Sequence, residues 1–285
     1  MYETPTQPMA DPADRYPASA AEYMAALNGE IINEQFAAGW AQQDKHHSGE
    51  DTVYAFADQG IAGNGVFAVF DGCGGSHDGK ASAEAATEWL HDFAVNNEGV
   101  VIAEGLSTLE GLFDGLNKAS QARTSYGYSV GIVGLLQKDI ISGESIMHWG
   151  AVGDALGFVI QSNGQVYQIN REETARQDML DDGIEEEKAD RLGYVITNGL
   201  GADAYQHGLR QKGYLRLSAG DKVLFASDGI TGDTADQRLR GGPDNESVIS
   251  AIVNRIDLTP QQKAQALIEA ATKFDDRTAL IIEVK

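Results

Sequence analysis

The chain has 285 residues, of which 42% are hydrophobic and 22% are charged, so it can bury a sizeable core and is not disordered as a whole. Its 43 acidic and 21 basic residues give a formal net charge of −22, which disfavours binding to nucleic acid and to anionic membranes. The single cysteine excludes an internal disulfide and a cysteine-rich zinc site. Because the sequence shows neither a long apolar run nor a secretory signal, we expect a cytoplasmic protein.

Residues 1–35 are predicted to be a polar N-terminal extension with a short helix at 19–28. Four of the six prolines lie within the first 17 residues, which favours a loose segment. No later stretch has the composition of a linker. Residues 36–285 are therefore predicted to be one domain.

Strand and helix signals follow in the order hairpin, two helices, a run of strands, two helices and a closing strand. Strands are predicted at 52–57, 65–70, 128–136, 146–152, 157–161, 166–169, 222–226 and 278–284. Helices are predicted at 80–96, 106–122, 246–256 and 260–274, the last of them beginning at Pro260 after Thr259. Because strands and helices do not alternate strictly, antiparallel sheets with helices on their outer faces are favoured over a parallel sheet.

Carboxylates recur at the ends of the predicted apolar strands. They are Asp71, Asp154 and Asp228, which each follow a strand, and the pairs Glu50-Asp51 and Asp275-Asp276, which each precede one. Carboxylates that meet at one edge of a core repel each other unless a cation neutralises them, and oxygen ligands favour Mg²⁺ or Mn²⁺. Each acid alone is explained more simply as a turn or a solvated strand end. The recurrence of the pattern nevertheless favours a metal cluster.

The same motifs resemble those of the bacterial metal-dependent serine/threonine protein phosphatases of type 2C. VFAVFDGCGG at 66–75 resembles the signature strand of that family, and it follows the early acidic pair at a typical distance. GDKVLFASDGI at 220–230 resembles the Ser-Asp-Gly strand, and DDRT at 275–278 resembles the closing Asp-Asn-x-Thr motif. Between the signature strand and the Ser-Asp-Gly strand the family has three further motifs, which are resembled by residues 126–135, 151–160 and 195–201. The likeness extends from about residue 45 to the C-terminus, in the order that the family has.

This resemblance implies an α+β fold, a four-layer αββα sandwich in which two antiparallel sheets are flanked by helices. It also implies hydrolysis of phosphoserine and phosphothreonine in proteins by a hydroxide that bridges two Mn²⁺ or Mg²⁺ ions. The catalytic residues would be Asp71, Asp228 and Asp275. The implied metal ligands are Glu50, Asp51, Asp71, the Gly72 carbonyl, Asp154, Asp228, Asp275 and Asp233. We expect a signalling enzyme that acts as a monomer on a phosphorylated protein, with no nucleic acid or membrane partner.

Some positions depart from the family pattern. His46 stands where the family has its phosphate-binding arginine, so either His46 or Lys45 binds phosphate or both belong to a plain polar loop. Cys73 stands where eukaryotic relatives place a histidine general acid. Gly232 replaces an acid expected at a third ion, with Asp233 next to it, so the choice between two and three ions stays open.

The charged segment 171–199 takes the place of the family's variable flap. It is either a mobile lid that recognises substrate or a solvated pair of helices. A cysteine-dependent phosphatase is disfavoured, because no arginine follows in the loop after Cys73. The other alternative is a catalytically weak or inactive protein of this fold that binds phosphoproteins as a regulatory scaffold. Loss of the arginine favours this alternative, while retention of the strand-end acids argues against it.

Overall fold

The structure is a computed structural model that describes residues 28–44, 49–58, 63–73, 78–97, 105–139, 142–192, 195–201, 203–232 and 245–285. The helix predicted at 19–28 lies outside these residues except for Asn28, which begins a strand. None of the described helices is both long enough and apolar enough to span a bilayer.

The described strands form two antiparallel sheets. They are β1 (Asn28–Ile32), β2 (Phe36–Gln43), β3 (Thr52–Ala57), β4 (Gly65–Gly72), β5 (Ser129–Lys138), β6 (Ser145–Val152), β7 (Leu156–Ile160), β8 (Val166–Gln168), β9 (Gln211–Leu217), β10 (Lys222–Ala226) and β11 (Arg277–Val284). The six-stranded sheet has the order β1-β2-β11-β10-β7-β8, and the five-stranded sheet has the order β3-β4-β5-β6-β9. This confirms the predicted α+β fold with two antiparallel sheets.

The described part of the chain contains seven helices. They are α1 (Gly79–Asn96), α2 (Gly105–Arg123), α3 (Ala175–Asp181), α4 (Glu186–Leu192), α5 (Asp228–Thr231), α6 (Asn245–Val253) and α7 (Pro260–Ala270). α1 and α2 pack on the five-stranded sheet, whereas α6 and α7 pack on the six-stranded sheet. The described chain therefore forms the four layers that were predicted.

Alternation along the central strands explains how one sheet serves two cores. In β10, Val223 and Phe225 belong to the large core between the sheets, while Leu224 and Ala226 belong to a second core under α6 and α7. Successive side chains of a strand point to opposite faces, so a strand buried on both sides is apolar throughout. Burial of a side chain such as Phe225 stabilises the fold by about 1.5–3 kcal/mol.

Three strands were not predicted. β1 and β2 form an antiparallel pair that continues into β11, so the six-stranded sheet includes residues from the stretch predicted as an extension. β2 (FAAGWAQQ) lacks clear alternation because most of its residues are buried on both faces. β9 lies at the edge of the five-stranded sheet, and its residues are largely half-buried or exposed. The division of the chain at residue 35 stays a prediction.

The start of α7 is as predicted, whereas its end is not. The Thr259 hydroxyl accepts a hydrogen bond from the Gln262 N–H and the Gln262 side chain accepts one from the Thr259 N–H, with Pro260 at the first helical position. The helix ends at Ala270 rather than at residue 274, because Ala271 is extended (ψ 140°). The buried Arg277 guanidinium donates to the Ile268 carbonyl at 3.1 Å, which satisfies the end of the helix.

Candidate functional site

Strand register carries the predicted acids of the five-stranded sheet to one end of it. Thr52 of β3 pairs with Phe70 of β4, so Asp51 and Asp71 are the next residues outward on neighbouring strands. Asp71 in turn pairs with Val130 of β5. Asp51 and Asp71 therefore lie at the same end of the sandwich, as the sequence predicts.

The acids of the six-stranded sheet lie beyond a common row of paired residues. Ala226 of β10 pairs with Ala279 of β11 on one side and with Leu156 of β7 on the other. Asp228 follows Ala226 by two residues, and Asp275 stands two residues before the start of β11. Two sheet ends thus bring carboxylates that are far apart in sequence to one region.

Asp154 lies where the chain crosses from one sheet to the other. β6 ends at Val152 in the five-stranded sheet, and β7 begins at Leu156 in the six-stranded sheet. Gly153 makes the turn with φ 80°, and a Cβ at this position would lie 2.0 Å from Cγ1 of Val130. Only glycine fits here without strain, so the backbone fixes the position from which Asp154 enters the site.

The segment that follows Asp228 packs closely against the Asp275-Asp276 segment, at a distance that only a glycine at position 229 allows. A Cβ on Gly229 would lie 1.8 Å from the Asp276 carbonyl oxygen. The Ser227 N–H donates to the Thr278 carbonyl at 3.1 Å, and the Thr278 N–H donates to Ser227 Oγ at 3.0 Å. These contacts hold the two acid-bearing segments side by side.

Asp51 is a buried carboxylate with unsatisfied oxygens. Burial raises the pKa of Asp51 to about 7; the Ser227 and Thr278 hydroxyls lower it, while Asp276 and Asp228 raise it further. Among the described residues, however, neither oxygen of Asp51 has a partner with the geometry of a hydrogen bond. A buried carboxylate in this state is costly, and a cation would relieve the cost.

The other acids interact with Asp51 and with one another. Burial raises the pKa of Asp71 well above its ordinary value, and repulsion from Asp51, Asp228, Asp154 and Asp275 raises it further. Burial also raises the pKa of Asp154, with a further contribution from Asp228. The acids from both sheets thus form one electrostatic cluster.

Lys273 is a cation that the sequence analysis did not identify as part of the site. Its ammonium forms ion pairs with Asp228 and, at 2.9 Å, with Asp275. As the side chains stand, no three histidine, cysteine or acidic residues within the described ranges are arranged to hold a metal ion. Metal coordination by the predicted ligands therefore stays a prediction.

Asp276 holds the backbone of a predicted ligand. Its Oδ2 accepts a hydrogen bond of 2.8 Å from the Glu50 N–H, and the Glu50 carbonyl accepts one of 3.2 Å from the Gly72 N–H. Asp276 thus positions the segment before β3. Glu50 and Gly72, both predicted ligands, are brought together by these bonds.

Glu173 ties the predicted flap to the Asp154 turn. Its buried carboxylate accepts hydrogen bonds from the Gly153 N–H at 3.2 Å and from Asn198 Nδ2 at 2.8 Å. Its backbone N–H donates to the Gly153 carbonyl at 2.8 Å, and its carbonyl accepts from Thr197 at 2.8 Å. Glu173 therefore connects both ends of the flap, at its start and near residue 198, to the site.

The flap itself contains the helical pair that was one of its two interpretations. The buried Arg176 guanidinium on α3 pairs with Glu186 at 3.1 Å and with Asp190 at 2.7 Å on α4. These ion pairs join the two helices. A lid function for this pair stays a prediction.

Three predicted site residues lie outside the described residues, namely Lys45, His46 and Asp233. The signals for Lys273 and Glu173 were present but weak. Lys273 stands two residues before Asp275, where the sequence favoured a helix end, and Glu173 belongs to a run of charges. Single charged residues of this kind reveal their partners only after the strands have paired.

Comparison with solved structures shows the same fold in bacterial phosphatases. The catalytic domain of serine threonine protein phosphatase PstP in complex with two manganese ions matches with a TM-score of 0.65 and 19% identity, over 88% of this chain and 98% of that one. The phosphatase MsPP from Mycobacterium smegmatis in complex with cacodylate matches with a TM-score of 0.62 and 16% identity, over 90% of this chain and 100% of that one. The S. agalactiae serine/threonine phosphatase matches with a TM-score of 0.66 and 16% identity, over 88% of this chain and 100% of that one.

At these identities the likeness shows the fold alone. A scan of protein-family models gives no match, and the curated proteins give none either.

Proposed function

We propose that this chain is a metal-dependent phosphatase that hydrolyses phosphoserine and phosphothreonine in proteins. The observation that carries the proposal is the cluster of buried aspartates, drawn from both sheets, in which burial and repulsion from neighbouring acids raise the pKa values of Asp51, Asp71 and Asp154. Only bound cations would let these groups ionise together near neutral pH. The fold shared with solved phosphatases supports the same reaction.

The donor set suits hard divalent ions. It consists of carboxylates and one backbone carbonyl, which favour Mn²⁺ or Mg²⁺ over softer metals. The unsatisfied oxygens of Asp51 fit such a role, because a bound ion would replace the missing partners. The residues that would hold two ions are Glu50, Asp51, Asp71, Gly72, Asp228 and Asp275, and a third would use Asp154, Asp228 and Asp233. When bound, the ions supply the Lewis acidity that activates water and stabilises charge on the phosphoryl group.

Other residues of the chain limit the chemistry. Burial raises the pKa of the Cys73 thiol well above its ordinary value, and the nearby Asp71, Asp154 and Asp228 raise it further, so Cys73 stays protonated and is no thiolate nucleophile.

A cleft of about 200 Å³ beside Asp51 is lined by acidic residues and by Lys80 and Arg277. This cleft would give a phosphorylated side chain access to the acids. Phosphate binding by His46 or Lys45 belongs to the proposal as a prediction from sequence.

The substrate would be a phosphorylated protein, and the enzyme would act as a monomer in cytoplasmic signalling. A second candidate function is a phosphoprotein-binding scaffold of the same fold with weak or no activity. The ion pairs of Lys273 with Asp228 and Asp275 favour it, because the lysine already neutralises part of the cluster. Hydrolysis of p-nitrophenyl phosphate and of a phosphothreonine peptide, with and without Mn²⁺, separates the two functions.

A mutational test compares two acids of the site with an acid outside it. Asp228→Asn and Asp71→Asn should abolish Mn²⁺-dependent hydrolysis. Asp221→Asn is the matched control, since Asp221 stands before β10, at the opposite end from Asp228, and accepts hydrogen bonds from Ser162 and Ser218 N–H groups. It should keep the activity. Full activity in the Asp71 or Asp228 variant would refute the site, and no activity in the wild type would favour the scaffold.

A further inference from the structure

Lys273 occupies the carboxylate oxygens that a metal ion would need. Its Nζ contacts Oδ2 of Asp228 and lies 2.9 Å from Oδ2 of Asp275. The other oxygen of Asp275, Oδ1, accepts a hydrogen bond of 3.0 Å from the Asp276 N–H. An ion that binds Asp275 through Oδ2 would therefore meet the ammonium of Lys273.

The fold holds the Lys273 backbone in place. Arg277 is buried, and its Nη2 donates to the Lys273 carbonyl at 2.6 Å. The same guanidinium donates to the Ile268 carbonyl at the end of α7 and, at 3.3 Å, to Gln43 Oε1 on β2. The turn that carries Lys273 is thus anchored to a helix and to a central strand. Its position beside the acids follows from the tertiary structure.

The ion pairs of Lys273 are nevertheless partly open to solvent. It is 30% exposed, and Asp228 and Asp275 are 25% and 39% exposed. The ammonium also lowers the pKa of the neighbouring Asp154, so its charge acts on the cluster beyond its two direct partners. A dication and an ammonium repel each other and cannot share the same oxygens at contact distance.

We infer that Lys273 is an internal competitor of the metal ion, whose ammonium neutralises Asp228 and Asp275 in the metal-free protein and is displaced when an ion binds them. This inference rests on the proposed function, in which the same two carboxylates hold a metal. It assigns to Lys273 control over metal affinity. Lys273 would stabilise the metal-free fold and weaken metal binding by the same interactions.

The test measures Mn²⁺ binding to the full chain by isothermal titration calorimetry. Lys273→Met and Lys273→Gln both remove the charge, and either should lower the Kd for Mn²⁺ by about tenfold, as expected for the loss of two partly exposed ion pairs. Lys273→Arg keeps the charge and should bind Mn²⁺ no more tightly than wild type. In EDTA, the two neutral variants should melt at a lower temperature than wild type. Saturating Mn²⁺ should reduce this difference in melting temperature.

Lys212→Met provides a matched control, because the Lys212 side chain is 28% exposed and pairs with Glu110 on a different face. It should leave the Kd for Mn²⁺ unchanged. If wild type binds Mn²⁺ and the neutral Lys273 variants bind it with the same Kd, the inference is wrong while the proposed function stands. If neither the wild-type protein nor any variant binds Mn²⁺, the inference and the proposed function are both wrong.

Discussion

The Glu173 carboxylate offers a sharp test of how the flap and the Asp154 turn are joined. It is 3% exposed and accepts hydrogen bonds from Gly153 and Asn198, while Arg210 lies 4.0 Å from its other oxygen. Glu173→Ala removes the acceptor of the Gly153 N–H and one of the two acceptors of Asn198 Nδ2, which still donates to the Gly208 carbonyl at 3.0 Å. The backbone bond between Glu173 and Gly153 remains, so the change isolates the side chain.

The expected cost follows from these two donors. A buried donor without a partner costs about 1–3 kcal/mol, so loss of the acceptor of the Gly153 N–H should lower the free energy of unfolding by about this amount. The loss at Asn198 Nδ2 should add less, because this group keeps the Gly208 carbonyl as an acceptor. The ion pair with Arg210 adds little, because it is long and the arginine is 42% exposed. Glu173→Gln keeps one acceptor oxygen and should cost less than the alanine variant. Urea unfolding of the metal-free chain measures both.

Glu144 provides the comparison at the surface. Its carboxylate pairs with Arg216 at 2.9 Å, and both side chains are about half exposed. Glu144→Ala should therefore cost at most about 1 kcal/mol. If Glu173→Ala costs no more than Glu144→Ala, the two hydrogen bonds do not hold the flap to the Asp154 turn, and the reasoning fails.

Three other changes test the site. Gly229→Ala, whose Cβ would lie 1.8 Å from the Asp276 carbonyl, should lower the free energy of unfolding by about 1–3 kcal/mol, whereas Gly111→Ala, with no atom within 4 Å, should raise it by about 0.5–1 kcal/mol. If urea unfolding shows the same change in the free energy of unfolding for both alanine variants, the close approach at Gly229 is not what limits this position. In EDTA, stability should fall as the pH rises from 3.8 to above about 7, because a carboxyl whose pKa is raised in the folded state stabilises the fold only while protonated. Asp51→Asn should flatten that slope in melting curves, and an unchanged slope would exclude Asp51 as its source. His46→Arg should lower the KM for phosphate esters in steady-state assays, because a guanidinium binds phosphate through two hydrogen bonds. An unchanged KM would mean that position 46 does not contact phosphate.

Local patterns were sufficient for the strands whose burial differs little along their length. The predicted strands at 52–57 and 222–226 match β3 and β10 to the residue. Their apolar runs are bounded by polar or turn-forming residues, so their ends are visible in the sequence. Pro260 after Thr259 located the start of α7 for the same reason, since a helix start depends on neighbouring residues only.

Long-range contacts decided the features that the sequence analysis missed. β2 is a strand because it lies between β1 and β11, not because its own residues alternate. α7 ends four residues early where Ala271 becomes extended, and Arg277 from β11 bonds to the Ile268 carbonyl at that end. Each of these outcomes depends on a partner that is distant in sequence.

The sequence by itself determined the layered α+β fold and the acids at the strand ends, because hydrophobic periodicity and strand-end chemistry are local properties of the chain. Only the tertiary structure decided that Lys273 lies on Asp228 and Asp275, and that Glu173 holds the turn before Asp154. A charged side chain pairs with whatever group the paired strands bring to it. Its partner is therefore a property of the assembled fold.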